Sequence, residues 1–351
     1  MDKEWNDDLS QYIKQKEPDK VEKAKAWKTA IGLQDVDGLK PSMYLLETAK
    51  NNIEGNIGIE EANRRINNYY KEENKRKTLE EQSEEADKVS VRIAKILSEK
   101  AFSFSITELL SIHKSLFDGI FKGAGKFRDY NITKEEWVLN GDTVLYSSYE
   151  SIRETLAYDF EQEKNFSYKD MGINESIQHL FRFLSNIWQV HPFCEGNTRT
   201  TAVFFIKYLK TFGFNINHEI FAKNSWYFRN ALVRANYKNF NKNVFEDYSD
   251  LEKFFYNLLT GTNYELRNRY LNIDNEKSHK GHKEKKENDY TLGEQAIINI
   301  IRDNPYVTQK EIADKIDKSL RMTKIYMSNM QEKGLIKREN GKRNGKWIVI
   351  N

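Results

Sequence analysis

The residues most able to do chemistry fall within nine positions, His191-Pro-Phe-Cys-Glu-Gly-Asn-Thr-Arg199. A helical stretch over 174–190, with Ile177, Leu180, Phe181, Leu184, Ile187 and Trp188 on one face, ends just before His191. Residues 198–212 are apolar on most sides, as a helix buried in a domain core requires. The backbone N–H groups of Glu195, Gly196, Asn197 and Thr198 therefore fall at a helix N-terminus, where unpaired donors and the helix dipole favour an anion. Gly196 lets backbone approach a phosphate closely, and Arg199, one turn into the helix, adds a planar cation suited to its oxygens. Glu195 in so cationic a loop suggests a bound cation such as Mg2+, which commonly bridges carboxylates and phosphates. His191, at the opposite lip, can act as a general base near neutral pH. Each residue taken singly has a structural reading: His191 as a helix cap, Glu195 as an acid at a helix start, Arg199 as a solvated side chain. Their joint occurrence in one loop points to phosphate chemistry on a nucleotide.

The rest of the chain must position that loop. At 351 residues it is long enough for one large or two modest domains. Only 17 Gly and 4 Pro occur, well under the roughly 12% that the two average together, which excludes collagen-like and all-β chains. Twenty Phe, 19 Tyr and 6 Trp can fill a sizeable core and exclude global disorder. A net charge of +3 does not by itself imply nucleic acid. The single cysteine, Cys194, rules out a disulfide within the chain. Together with a polar start (MDKEWNDDLS) and the lack of any long apolar run, this leads to the expectation of a cytoplasmic protein without membrane contact.

Residues 1–45, broken by Pro18 and Pro41, read as an irregular arm with a short helix. From Tyr44 to about Lys100 the pattern is helical, with a charged middle read as a solvated face. Residues 102–122 read as a helix pair, with Leu109, Ile112, Leu116 and Ile120 at helical spacing. Asn140-Gly141, between Glu136–Leu139 and Thr143–Ser147, is a hairpin signal, because a type I′ turn needs positive φ at both central positions. Helices are expected over 224–236 and 249–260, and the charged run 268–289 reads as a linker.

HPFCEGNTR resembles the core motif of the Fic (Fido) family, HPFx[D/E]GN followed by a variable residue and Arg. The resemblance runs from about residue 90 to 262 and includes the stretch 112–128 and the hairpin, which corresponds to the family's flap. It implies a mainly α Fic-type helical bundle, residues 86–267, after an N-terminal helical region over 1–85. It also implies a protein adenylyltransferase that moves AMP from ATP to a Ser, Thr or Tyr hydroxyl of a protein target, with the chain itself as one candidate target. In that reading His191 deprotonates the hydroxyl. Glu195 holds Mg2+, while Gly196, Asn197, Thr198 and Arg199 hold the phosphates. Leu145 and Tyr146 of the flap dock the target as an added strand. Tyr227, Phe228 and Asn236 match positions lining the adenosine pocket, and as bare sequence they are equally well core aromatics and a helix-end Asn.

This chain departs from the family at two places. Where a second motif arginine often binds the γ-phosphate, it has Ala202, which leaves the donor nucleotide open. Residues 52–56 (NIEGN), near a possible inhibitory helix over 44–56, resemble the end of the family's inhibitory helix. Glu54 is then either an inhibitory acid needing another partner, such as Arg199, or an ordinary exposed carboxylate. Cys194 fills a variable slot, His113 reads as a core residue, and His279 and His282 lack a metal-ligand pattern.

The last sixty residues follow a different pattern. A helix over Leu292–Asp303, a capping box at Thr308–Glu311, a third helix over 319–333 stopped by Gly334, and two short strands resemble a winged helix-turn-helix domain over 290–351. The resemblance implies DNA contact through Arg321 and Lys324 on the third helix and Lys342, Arg343 and Lys346 in the wing. A protein-interaction module of the same fold is the other reading. For the whole chain the alternatives are transfer of another nucleotide or removal of AMP at the same site, and a nucleotide-sensing DNA-binding regulator without catalysis. A homo-oligomer is compatible with each.

Overall fold

The computed structural model describes residues 4–15, 17–71, 80–214, 218–274, 290–339 and 345–350. The chain is mostly helical, with one two-stranded antiparallel sheet among the described residues. The N-terminal stretch is not an irregular arm. It forms α1 (Glu4–Gln15) and α2 (Pro18–Gly32). Pro18 opens α2 instead of breaking it, because the first helical turn has no use for the N–H that proline lacks. Ala24, Trp27, Ala30 and Ile31 bury α2 in the main core. Lys28 is fully buried and reaches Glu219, 3.0 Å away.

Helices α3 (Met43–Glu54), α4 (Ile59–Tyr69) and α5 (Glu80–Ser98) follow. The charged middle is not simply a solvated face. Asp87 on α5 is buried and accepts hydrogen bonds from the Ser42 backbone N–H (2.9 Å), the Ser42 hydroxyl (2.5 Å) and the Tyr70 hydroxyl (2.7 Å). Burial pushes its carboxyl up to about 6. The expected helix pair over 102–122 is one helix, α6 (Ile106–Phe117), with Leu109, Ile112 and Leu116 buried, followed by a turn.

α7 (Ile152–Asn165) leads to α8 (Ile173–Val190) and α9 (Asn197–Thr211); the nine-residue motif supplies the six-residue loop between them, residues 191–196, and the first turn of α9. Every residue of α9 from Asn197 to Leu209 is buried, as the sequence reading requires of a core helix. α10 (His218–Ala235) has non-helical backbone at Asn224, and α11 (Ser249–Thr260) closes the body.

The expected hairpin flap is not a two-stranded ladder. One isolated bridge joins Glu136 to Asp142, and Trp137–Leu139 wind into a 3-10 turn. The reason lies in two consecutive apolar residues, Val138 and Leu139, that are both fully buried, whereas a strand would send one of them outward. Asn140 and Gly141 do adopt the positive φ that the turn signal demanded, 55° and 86°. The stretch read as a linker begins as part of the body. Leu271 and Ile273 are buried, and the Ile273 N–H donates to the Val138 carbonyl. Residues 275–289, with His279 and His282, lie outside the described residues.

The C-terminal part contains α12 (Leu292–Asp303), α13 (Gln309–Lys315) and α14 (Leu320–Glu332), then β1 (Ile336–Glu339) paired antiparallel with β2 (Lys346–Val349). Both capping-box contacts at Thr308 and Glu311 are present. Ile300, Ile312, Met327, Met330 and Trp347 form a small separate core. The unit also packs on the body: Leu292 and Ala296 join the main core, and Asn299 Nδ2 donates to the Leu259 carbonyl at 2.6 Å.

Candidate active site

α8 ends where His191 takes a left-handed conformation (φ 48°, ψ 59°), which turns the chain sharply out of the helix. Its backbone N–H still donates to the Trp188 carbonyl, and Nδ1 lies 3.3 Å from the same oxygen. A carbonyl can only accept, so Nδ1 carries the hydrogen and Nε2 keeps a free lone pair. The ring is buried. Burial first, and then the charges of Lys134, Arg229 and Arg128, hold its pKa well below the ordinary value, so the imidazole is neutral at pH 7.

Asn197 folds the loop back on itself. Its Oδ1 accepts from the Phe193 N–H (2.9 Å) and its Nδ2 donates to the Phe193 carbonyl (2.8 Å). The residue expected to hold phosphate is thus a strut of the loop. Thr198 Oγ1 accepts from the Trp188 indole N–H at 2.8 Å. Gly196 sits at φ 72°, and a Cβ there would lie 2.4 Å from the Phe117 ring, so packing by itself requires glycine at this position. Among the described residues, no backbone acceptor meets the N–H groups of Glu195, Gly196, Asn197 or Thr198, which leaves a row of donors at the start of α9.

Arg199 does not face that row. Its guanidinium is almost wholly buried, with Nη2 2.6 Å from Glu85 Oε1, Nε 2.8 Å from Asp37 Oδ2 and Nη1 donating to Gln34 Oε1 at 3.0 Å. It also lies over the Phe117 ring. Glu54 is not its partner. That carboxylate is bound to Lys20 at 3.1 Å, and its pKa is lowered by hydrogen bonds from Tyr12 and Lys20. Helix α3 therefore does not bring Glu54 to the motif arginine.

Glu195 points outward, and its Oε2 accepts from Lys134 Nζ at 3.2 Å. No group of three or more His, Cys, Asp or Glu side chains that could hold a metal is present among the described residues. The exposed Glu195 carboxylate can offer an oxygen to a metal that takes its remaining ligands from phosphate and water, and the adjacent N–H donors can hold that phosphate.

His113 is buried, as read. It also supports the loop from beneath: Nδ1 accepts from the Gly125 N–H at 2.8 Å, and Nε2 lies 3.0 Å from the Glu195 carbonyl. It stacks on Phe193, with ring centroids 3.7 Å apart. Burial lowers its pKa to about 4, so it is neutral.

The two flap residues part company. Leu145 is 82% exposed, whereas Tyr146 turns inward and lays its ring against His191, centroids 4.3 Å apart. Gln189 Nε2 donates to the Leu145 carbonyl, and Arg128 Nη2 to the Ser147 carbonyl. Arg128 also donates to the carbonyls of Val190, His191 and Tyr130, tying the flap to the loop. Sequence reading did not single out this arginine. Its partners are backbone carbonyls, which leave no residue-type signal.

Tyr227 and Phe228 are core residues. Tyr227 donates to Asp250 Oδ1 at 3.0 Å, and Phe228 packs on Phe221 and Phe254. Asn236 spends its Nδ2 on Ser185 Oγ and the Leu232 carbonyl. The neighbouring residues on α10 face a cavity instead. A cleft of about 480 Å3 is lined by Asp35, Val36, Asp37, Gly38, Trp226 and Arg229. Arg229 stacks over Trp226 and makes a two-pronged ion pair with the buried Glu136 at the base of the flap (2.7 and 2.9 Å). Asp37, on the same wall, touches Arg199, so the cleft opens beside the loop.

In the C-terminal unit Arg321 and Lys324 are exposed on α14, beside exposed Leu320, Met322, Ile325 and Tyr326. Lys346 lies 3.7 Å from Glu339, and Lys342 and Arg343 lie outside the described residues. No helix among the described residues is long and apolar enough to cross a membrane.

Comparison with known proteins agrees with both resemblances. Residues 103–209 match the Fic/DOC family, and residues 294–337 match a winged helix-turn-helix DNA-binding family. The protein adenylyltransferase VbhT of Bartonella schoenbuchensis is 27% identical over 114 residues. That match covers 32% of this chain and 23% of the relative, so the chain spans about a quarter of the curated protein it resembles. A Fic family protein from Desulfovibrio desulfuricans, of known crystal structure, aligns with 99% of this chain and 94% of its own, at 9% identity and a TM-score of 0.45.

Proposed function

We propose that this protein is a nucleotidyltransferase of the Fic type that moves a nucleoside monophosphate, AMP in the simplest case, onto a hydroxyl of a protein. The observation that carries this reading is a neutral, buried His191, with its hydrogen on Nδ1, one tight turn away from a row of N–H donors at the start of α9 that meet no backbone acceptor among the described residues. A neutral imidazole with a free Nε2 can take a proton, and free donors at a helix start can hold a phosphate.

In this reading the donor's phosphates lie on the N–H groups of residues 195–198, and its base and sugar enter the cleft beside Trp226 and Arg229. Glu195 would hold Mg2+, which neutralises phosphate charge when bound. Nε2 of His191 takes the proton of the acceptor hydroxyl. The acceptor oxygen then forms a bond to the α-phosphorus, and the bond from that phosphorus to the bridging oxygen breaks, releasing pyrophosphate. The unpaired donors hold the charge that develops on the phosphate oxygens. The exposed Leu145 marks the edge along which the acceptor chain lies. The winged helix unit is assigned to DNA, through Arg321 and Lys324.

A second reading, a nucleotide sensor that regulates DNA binding without catalysis, draws support from Arg199. With this cation occupied by Glu85 and Asp37, and with Ala202 three residues on, the grip on a triphosphate is weak. Mass spectrometry separates the two. The protein is incubated with Mg2+ and ATP, GTP, UTP or CTP, alone and with candidate acceptors. A covalent gain of one nucleoside monophosphate that vanishes in His191→Ala supports transfer and names the donor. Nucleotide binding without any mass gain supports the sensor.

A further inference from the structure

The inward flap residue carries an assignment of its own. Tyr146 is 7% exposed, and its hydroxyl has no hydrogen-bond partner among the described residues. Buried hydroxyls seldom lack partners, because the water they give up must be replaced. This one cannot swing away to find a partner. Hydrogen bonds from Gln189 to the Leu145 carbonyl and from Arg128 to the Ser147 carbonyl fix the backbone on both sides of it. Its ring is held between the His191 imidazole and the edge of Trp188. Along residues 143–147 exposure alternates, with Val144 and Tyr146 inward and Leu145 outward, so the register of an extended segment turns the ring inward, against His191.

Resting on the nucleotidyl-transfer reading, we propose that the Tyr146 hydroxyl donates a hydrogen bond to a phosphate oxygen of the donor nucleotide bound against His191. Burial, with the charge of Glu136 nearby, keeps the phenol protonated, so it serves as a donor and not as a base. A phosphate oxygen is the acceptor that the proposed donor brings to this place. The hydroxyl is shielded in the free protein, so the bond forms as side chains around it yield to the incoming ligand. The flap then has two faces, with Leu145 for the acceptor chain and Tyr146 for the donor.

The test is Tyr146→Phe, which keeps the ring and removes one oxygen. Thermal unfolding of the free protein and calorimetric binding are measured for wild type and variant. The ligand is whichever of ATP, GTP, UTP or CTP binds wild type most tightly in Mg2+, with its nucleoside as a phosphate-free control. The proposal expects an unchanged or higher melting temperature, because an unpaired buried hydroxyl is removed. It expects nucleotide affinity about ten- to a hundredfold weaker, the loss typical of one hydrogen bond to a charged group, and nucleoside affinity unchanged. A melting temperature several degrees lower would show that the hydroxyl has a structural partner and would overturn the proposal. Equal nucleotide affinity in both proteins overturns it as well and leaves the transfer reading intact. A loss that also appears with the nucleoside overturns the phosphate assignment. If wild type binds none of the four nucleotides, the transfer reading itself fails.

Discussion

Arg199 and Glu85 are bound to each other. The arginine Nη2 lies 2.6 Å from the glutamate Oε1, and the guanidinium is almost wholly buried between Gln34, Asp37 and the Phe117 ring. The cation that the sequence offered to a phosphate is held by the N-terminal half of the chain.

An arginine used only for phosphate could be removed from the free protein at little cost. This one joins α9 to α5 and to the turn before residue 38, so Arg199→Ala should destabilise the nucleotide-free protein by on the order of 3 kcal/mol. Denaturant unfolding without ligand measures this, and an unchanged midpoint would refute the structural role. Glu85→Gln should act on the site in the opposite sense, tightening nucleotide binding several-fold as Arg199 becomes available.

Asn197 holds the loop through both polar atoms of its side chain. Asn197→Asp keeps the accepting oxygen but sets a second carboxylate oxygen against the Phe193 carbonyl. Replacing that hydrogen bond with a repulsive contact should cost about 2 kcal/mol or more. Asn197→Ala should cost a similar amount. Should both variants melt like wild type, the strut assignment is wrong.

Two neutral buried histidines set an acid limit. His113 titrates near 4 in the folded protein and near 6.5 unfolded. The unfolded chain therefore binds the proton first, so the stability that His113 contributes is complete above about pH 6.5 and is lost as pH falls toward 4. The loss is on the order of 3 kcal/mol at pH 4. Asp87, raised to about 6, works in the reverse direction, so the measurement is the difference in pH slope between wild type and His113→Gln. A variant with the same slope would exclude His113 as the source. His191 is also depressed, so transfer activity should stay level as pH drops through 6.5, where an ordinary histidine base would already be failing.

Arg321 and Lys324 are exposed at the start of α14. If they touch DNA phosphates, each change to alanine should weaken binding at every sequence tested. Each should also lower the slope of log affinity against log salt by about 1. Fluorescence anisotropy over a salt series checks this. Insensitivity to both changes would direct attention to Leu320, Met322, Ile325 and Tyr326 and to a protein partner.

The sequence by itself determined what depends on near neighbours. The helices at α8, α9, α11 and α12 follow from apolar spacing, the capping box at Thr308 from two residues three apart, and the donor row from a glycine-containing turn before a helix. Even the positive φ of Asn140 and Gly141 was legible, although the strands around them were not, because Val138 and Leu139 both bury. Tertiary structure decided the partners. Arg199 meets Glu85 and Gln34 across 114 and 165 residues of chain, and no local pattern encodes such a meeting. It also decided facing: on one helix Tyr227 and Phe228 enter the core while Trp226 and Arg229 line a cleft, and in one extended segment Leu145 points out and Tyr146 in. Periodicity reports that a segment has two faces. What each face meets depends on elements brought together from distant parts of the chain.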